Sequence, residues 1–147
     1  MDWGERRIGL AVSDPTGTIA SGLPTLTVSG PAKAVAAVLA AAAECEASAI
    51  VVGLPLLLSG ERGSAADSAE AFAAQLRAKG GLPVETLDER LTSTIAQRRM
   101  QEVGERASRD KGRVDQGAAI ALLETWLQRA AWRAREAAPP PRPQEDA

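Results

Sequence analysis

The 147-residue chain carries 17 basic and 19 acidic side chains, a formal charge of −2, with 45% of its residues hydrophobic and 24% charged. That balance suits one globular domain with a single core, and no apolar run is long enough to span a bilayer. The chain has no histidine and one cysteine, which excludes a Ser-His-Asp triad, a His- or thiolate-ligated zinc site and an intramolecular disulfide. The lone Cys45, in an Ala-rich stretch, reads as inert packing in a reducing cytoplasm. Any hydrolytic chemistry must therefore come from carboxylates, most simply by holding Mg²⁺ or Mn²⁺ through oxygen ligands.

In chain order, Arg7 to Ser13 reads as a strand with Ile8, Leu10 and Val12 on one face. Asp14-Pro15-Thr16-Gly17 is a turn, and Thr18 to Val28 continues as an edge strand interrupted by Gly22 and Pro24. A helix follows from Pro31 to about Glu46, with Val35, Val38 and Leu39 inward. Ser48 to Leu54 has the continuous β-branched character of a buried parallel strand. After a loop from Pro55 to Gly63, Ser64 to Lys79 is a helix with Phe72 and Leu76 inward, ended by Gly80-Gly81.

Pro83 to Leu87 is a short strand that delivers Asp88-Glu89-Arg90 at its end. Thr92 or Ser93 caps a helix through Val103, and Gly104 to Arg113 is a polar loop. Val114 to about Arg135 is a long last helix with Ile120, Leu123 and Leu127 on its core face. Residues 1–136 make the expected domain, and 137–147 a Pro-rich disordered tail. No secretory signal is visible. A β-meander followed by α/β crossovers implies a mixed sheet with helices on its faces. The strand needed before the first turn has only Met1 to Trp3 available to it.

Three acids occupy junctions: Asp2 on the first strand, Glu89 at the end of the last strand and Asp115 at the start of the last helix. Strand ends are where ligands bind in such sheets. Converging carboxylates repel one another unless a cation neutralises them. Two divalent ions there would activate water and stabilise the leaving oxygen in phosphodiester cleavage, with no histidine needed. Each acid also has a plainer use: Asp2 as a solvated residue, Glu89 as an ion-pair partner or helix cap, and Asp115 as a favourable charge in a first helical turn.

Around the acids, Arg6, Arg7 and Arg90 are candidates to neutralise phosphates. The densest basic run includes Arg109, Lys111 and Arg113 just before Asp115 and could guide a nucleic-acid backbone. Gly53 would let backbone approach a phosphate, with a plain strand-to-loop turn equally open. Three Trp, one Phe and no Tyr offer little for base-specific stacking. Trp3 could stack on a base or enter the core; Trp126 and Trp132 read as core or interface.

Four segments together resemble the YqgF family. They are Asp2-x-Gly4 with Arg7-Ile8-Gly9-x-Ala11-x-Ser13-Asp14; Val51-Val52-Gly53-Leu54-Pro55; Asp88-Glu89-Arg90-Leu91-Thr92-Ser93; and Val114-Asp115 with Ala118-Ala119 and Leu122-Leu123-Glu124. The resemblance runs from Asp2 to about Leu127. It implies an α/β, RNase H-like fold: a mixed five-stranded sheet, antiparallel meander plus parallel strands, flanked by helices. It also implies a Mg²⁺- or Mn²⁺-dependent nuclease in 5′-end maturation of pre-16S rRNA in the bacterial cytoplasm, acting on precursor rRNA; with so few aromatic residues, recognition by backbone shape or by assembly with ribosomal particles is expected over base-specific reading.

On that resemblance, Asp2, Glu89 and Asp115 are the catalytic and metal-holding acids, and Asp88 is an auxiliary candidate. Alternation places Asp88 and Glu89 on opposite faces if the strand reaches them, and the motif favours Glu89. Apolar residues that precede the first acid in the family have no counterpart here, so the first strand is expected to be truncated. A Holliday junction resolvase cutting branched DNA, normally as a symmetric dimer, is the alternative activity. A non-catalytic RNase H-like nucleic-acid-binding module is another. An actin-like or sugar-kinase-like ATPase, which also begins with Asp-x-Gly, needs two such domains and the chain is too short for them.

Overall fold

The computed structural model describes residues 1–4, 6–55, 63–91 and 111–139, with backbone alone for 111–115. The elements in order are β1 (Arg7–Ser13), β2 (Ala20–Thr27), α1 (Pro31–Glu44), β3 (Ile50–Leu54), α2 (Ser64–Gly80), β4 (Val84–Asp88), a 3₁₀ turn over Glu89–Leu91, and α3 (Lys111–Ala137). Among the described residues no helix is long and apolar enough to cross a membrane.

β1 and β2 form an antiparallel hairpin from Arg7↔Thr27 to Ser13↔Ala20. Its turn is built on Asp14, whose carboxylate accepts the N–H groups of Thr18 and Ile19, each at 2.8 Å, and the Thr16 hydroxyl. The Ile19 N–H foremost, then the Thr16 hydroxyl and Thr18 N–H, pull the Asp14 carboxyl down to about 2. Gly17 supplies the left-handed residue at φ +70°, where a side chain would be strained. The register slips by one residue between Ile8↔Leu26 and Leu10↔Leu23. Pro24 falls inside that bulge, where its missing N–H costs no ladder bond.

β3 and β4 pair in parallel from Ile50↔Val84 to Leu54↔Asp88. β3 is buried along its whole length, as a β-branched run covered on both faces should be. The two strand pairs meet through Met1 and Asp2 alone among the described residues. Asp2 exchanges both backbone hydrogen bonds with Gly9, at 2.9 and 3.0 Å, in an isolated antiparallel bridge. Met1 donates to the Val51 carbonyl at 2.5 Å and accepts from the Gly53 N–H at 3.0 Å, a parallel pattern. Where a five-stranded sheet is expected, the described residues hold four strands and this two-residue connection. Gly4 turns the chain from the connection toward β1, and a Cβ there would lie 2.5 Å from the Arg7 carbonyl oxygen.

Strand alternation divides the side chains between two faces. On one face Met1, Ile8, Leu10, Ile50, Val52 and Leu54 join one cluster with Ala34, Val35 and Val38 of α1 and Ala69, Phe72, Ala73 and Leu76 of α2. Trp3 stacks on Phe72 with ring centroids 4.1 Å apart, so its place is the core. α2 presents buried residues at helical spacing, Ala66, Ala69, Phe72, Ala73 and Leu76, and ends at Gly81 in the left-handed conformation.

On the other face α3 covers β1, β2 and part of β3, and Val51, Leu87, Leu122 and Trp126 form a smaller cluster. α3 departs from the sequence reading in two ways. It starts at Lys111 rather than Val114. Its buried residues are Ala119, Ala121, Leu122 and Thr125, while Ile120, Leu123 and Leu127 are half-buried. Alanine at the closest approach lets the helix lie near the sheet, which moves the larger residues to its flanks. The helix expected from Thr92 or Ser93 to Val103, the loop residues 56–62 and 104–110, and the tail 140–147 lie outside the described residues.

Candidate active site

Asp2 and Glu89 come together from opposite ends of the chain. Asp2 lies on the connection, with Gly9 as its partner on one side. The Met1 pattern with Val51 and Gly53 places Asp2 beside Gly53 on the other side. Glu89 is the first residue after β4, opening the 3₁₀ turn. The two carboxyl groups hydrogen-bond to each other. Burial first, then the Asp2 charge and its hydrogen bond, raise the Glu89 carboxyl from 4.5 to about 7, against a smaller opposing effect of the Met1 ammonium. Two half-buried carboxyls this close repel one another when both are charged. The Met1 amino group itself is pushed down to about 6 by burial.

Gly53 makes this meeting possible. A Cβ at position 53 would lie 2.7 Å from Glu89 Oε1 and 3.1 Å from Leu122 Cδ2. The glycine in Ile-Val-Val-Gly-Leu therefore admits the Glu89 carboxyl, where the sequence reading had offered a phosphate approach or a plain turn. Leu122 closes the apolar wall beside it. A lone glycine in an otherwise β-branched strand was the available signal that something approaches closely there.

Asp88 turns away from this pair. Its carboxylate takes both the Arg90 guanidinium, 2.7 Å at the closest, and the Arg90 backbone N–H at 2.9 Å. The guanidinium holds Asp88 below the usual carboxylate range. Arg90 is thereby committed to Asp88 rather than facing the acids. Arg6 is exposed and Arg7 half-buried at the start of the hairpin.

Asp115 is the fifth residue of α3. Helical spacing puts position 115 on one stripe with Ala119 and Leu122, both buried against the sheet. The side chains of Asp115, Lys111 and Arg113, and the whole of Arg109, lie outside the described residues. The next residue, Gln116, anchors this end of α3 by donating to the Leu23 carbonyl at 2.7 Å. Among the described residues no group of three acidic or other metal-ligating side chains is assembled; the pair is what they show.

Residues 1–129 match the family described as "RuvX: Holliday junction resolvase". The chain belongs to this family. A protein of Chloroflexus aurantiacus (strain J-10-fl) named "Putative pre-16S rRNA nuclease" is 40% identical over 127 residues, covering 86% of this chain and 83% of its own. Proteins with the same name from Anaeromyxobacter dehalogenans and Rhodococcus erythropolis are 41% and 42% identical, covering 89% and 86% of this chain and 96% and 75% of their own. Both names denote hydrolysis of phosphodiester bonds in nucleic acid, and the four motifs read from the sequence lie inside the matched region.

Proposed function

We propose that this chain is a divalent-metal-dependent nuclease that matures the 5′ end of pre-16S rRNA, with Asp2, Glu89 and Asp115 as its catalytic acids. The observation that carries the reading is the Asp2–Glu89 pair meeting over Gly53 in a member of a nuclease family. The donor set suits Mg²⁺ or Mn²⁺: hard carboxylate oxygens, no sulfur or imidazole, and two adjacent carboxyls whose repulsion a cation would relieve. Asp115, on the helix stripe that includes Ala119 and Leu122, supplies the third oxygen ligand. Such an ion, when bound, activates water for attack on phosphorus and stabilises the leaving oxygen.

The chain's own residues set the geometry for that chemistry. Asp2 is held by its two backbone bonds to Gly9, and Glu89 by the end of β4 and the space over Gly53. Leu122 excludes water from one side, which strengthens electrostatic interactions at the acids. In this reading Met1 and Asp2 belong to the central strand of an RNase H-like five-stranded sheet. Arg6, Arg7, Arg109, Lys111 and Arg113 meet substrate phosphates, and the protein works in the cytoplasm on ribosomal particles.

The family description favours one second reading, resolution of four-way DNA junctions. One experiment separates the two: cleavage of precursor 16S rRNA and of a four-way DNA junction with Mg²⁺ or Mn²⁺, by this chain, Asp2→Asn and Glu89→Gln. RNA cleavage lost in both variants is the expected result. Junction cleavage alone moves the assignment to a resolvase, and equal cutting by all three proteins overturns the active site.

A further inference from the structure

α3 runs on past the sheet that it covers. Gln116 is fixed to the Leu23 carbonyl, and Leu127 reaches the hairpin turn, where a Cβ on Gly17 would lie 3.8 Å from its Cδ2. From Leu127 the helix continues to Ala137. At 1.5 Å per residue this makes a projection of about 15 Å, and every residue from 131 to 137 is exposed. The family match stops at residue 129, so Trp132, Arg133 and Arg135 lie outside the matched span.

Two features of this projection are costly in water. Helical spacing puts Trp132 on the stripe of Ala121 and Thr125, eleven and seven residues earlier and both buried. The stripe continues where the described fold does not cover it, and the indole is left 61% exposed. Arginines surround it: Arg129 three residues before and Arg135 three after, with Arg133 four from Arg129, all exposed. The helix dipole accounts for Arg135 in the last turn. It does not account for Arg129 and Arg133, a like-charge pair at i, i+4 that destabilises a helix. Between residues 128 and 137 Glu136 is the only acid, which leaves an excess of two positive charges in a chain whose total is −2.

We infer that this end of α3 is an arm that binds an unpaired stretch of nucleic acid, with one base stacked on Trp132 and the flanking phosphates met by Arg129, Arg133 and Arg135. Such a partner removes both costs together: phosphates relieve the repulsion between the arginines, and a base covers the indole. Stacking of this kind accepts any base, so one indole among arginines grips a strand without reading its sequence. Trp132 stands ten residues beyond Leu122, about 15 Å along the helix. A strand held there is gripped away from Asp2 and Glu89, so the arm contributes affinity rather than chemistry. The inference rests on the nuclease reading for the nature of the partner, and not on which acids cleave it.

The test is fluorescence anisotropy of a short labelled single strand of 2′-O-methyl RNA, and of the same strand in a duplex, titrated with the full chain in chelator. Trp132→Ala is expected to weaken single-strand binding by at least about fivefold and to leave duplex binding unchanged, because paired bases already stack on each other. Trp132→Phe should recover most of the loss. Arg129→Gln combined with Arg133→Gln should weaken binding of both and lower the slope of log affinity against log salt by about 1.4 for the single strand. Melting temperatures of these exposed-site variants should match the wild type. Equal single-strand binding by the wild type and Trp132→Ala, an equal loss on strand and duplex, or a wild type that binds neither at about 100 µM would overturn the proposal. So would self-association of the free chain that Trp132→Ala abolishes, because the face would then hold a second copy. Binding is read without cleavage, so its failure is distinct from a failure of the acids, which the cleavage assay reports.

Discussion

The two faces of the sheet are built to different rules. On the α1–α2 face, Met1, Trp3, Ile8, Val52 and Phe72 interlock in one apolar cluster, with Trp3 stacked on Phe72. On the α3 face the same strands present Asp2, Gly53 and Val51, and a glycine leaves room for a carboxyl. Consecutive residues Met1, Asp2 and Trp3 serve both: the odd ones enter the core, the even one meets Glu89. One face provides stability and the other spends some of it on holding two carboxyls together.

That contrast can be broken from either side. The largest effect belongs to the acids: Glu89→Gln should lower nuclease activity by about 10²–10³-fold while leaving the melting temperature unchanged or raised, because it removes a like-charge contact. Asp2→Asn should do the same. Phe72→Ala is the opposite case. It should cost about 3–5 kcal/mol in denaturant unfolding, and activity at low temperature should survive in the fraction that stays folded. Activity lost in step with stability for Glu89→Gln would make that residue structural.

Gly53→Ala sharpens the comparison, because its Cβ would meet Glu89 Oε1 at 2.7 Å. Overpacking of about 1–3 kcal/mol is expected, with activity falling at least tenfold as Glu89 is displaced. A smaller effect lies in pH dependence. The Glu89 carboxyl is raised in the fold from 4.5 to about 7, so the folded state binds a proton that the unfolded state has released. Its contribution to stability is full below about 4.5 and is lost as pH rises through 7. The Met1 amino group, lowered from 8.0 to about 6, acts in the opposite sense between those values. Denaturant melts in chelator at pH 5 and pH 8, for the wild type and Glu89→Gln, isolate the carboxyl: the wild type should lose more stability than the variant on going to pH 8. Mg²⁺ should restore more at pH 8 than at pH 5. The least effect is expected from Arg90→Gln, since the exposed pair with Asp88 adds little; no measurable shift in melting temperature should follow.

Much of this was legible from residue order. The hairpin, its Asp14–Gly17 turn and the inward Phe72 and Leu76 follow from local chemistry, because turns and amphipathic periods depend on neighbours only. α3 was harder. Its period allowed the larger residues Ile120, Leu123 and Leu127 to be taken as the contact face, whereas close packing against the sheet selects Ala119 and Ala121. The basic candidates divide similarly: Arg90 reads as a phosphate ligand in sequence and is an Asp88 partner in space.

Residue identity by itself determined the elements on which the acids stand and, with no histidine and one cysteine, left carboxylates as the side chains to expect at a hydrolytic site. Tertiary structure alone set Glu89 rather than Asp88 beside Asp2 and showed that Gly53 makes room for the Glu89 carboxyl. The reason is register. Which face a side chain takes depends on where a strand stops and what it pairs with, and for Asp2 that partner, Gly9, is set by a turn and two backbone bonds rather than by its own neighbours.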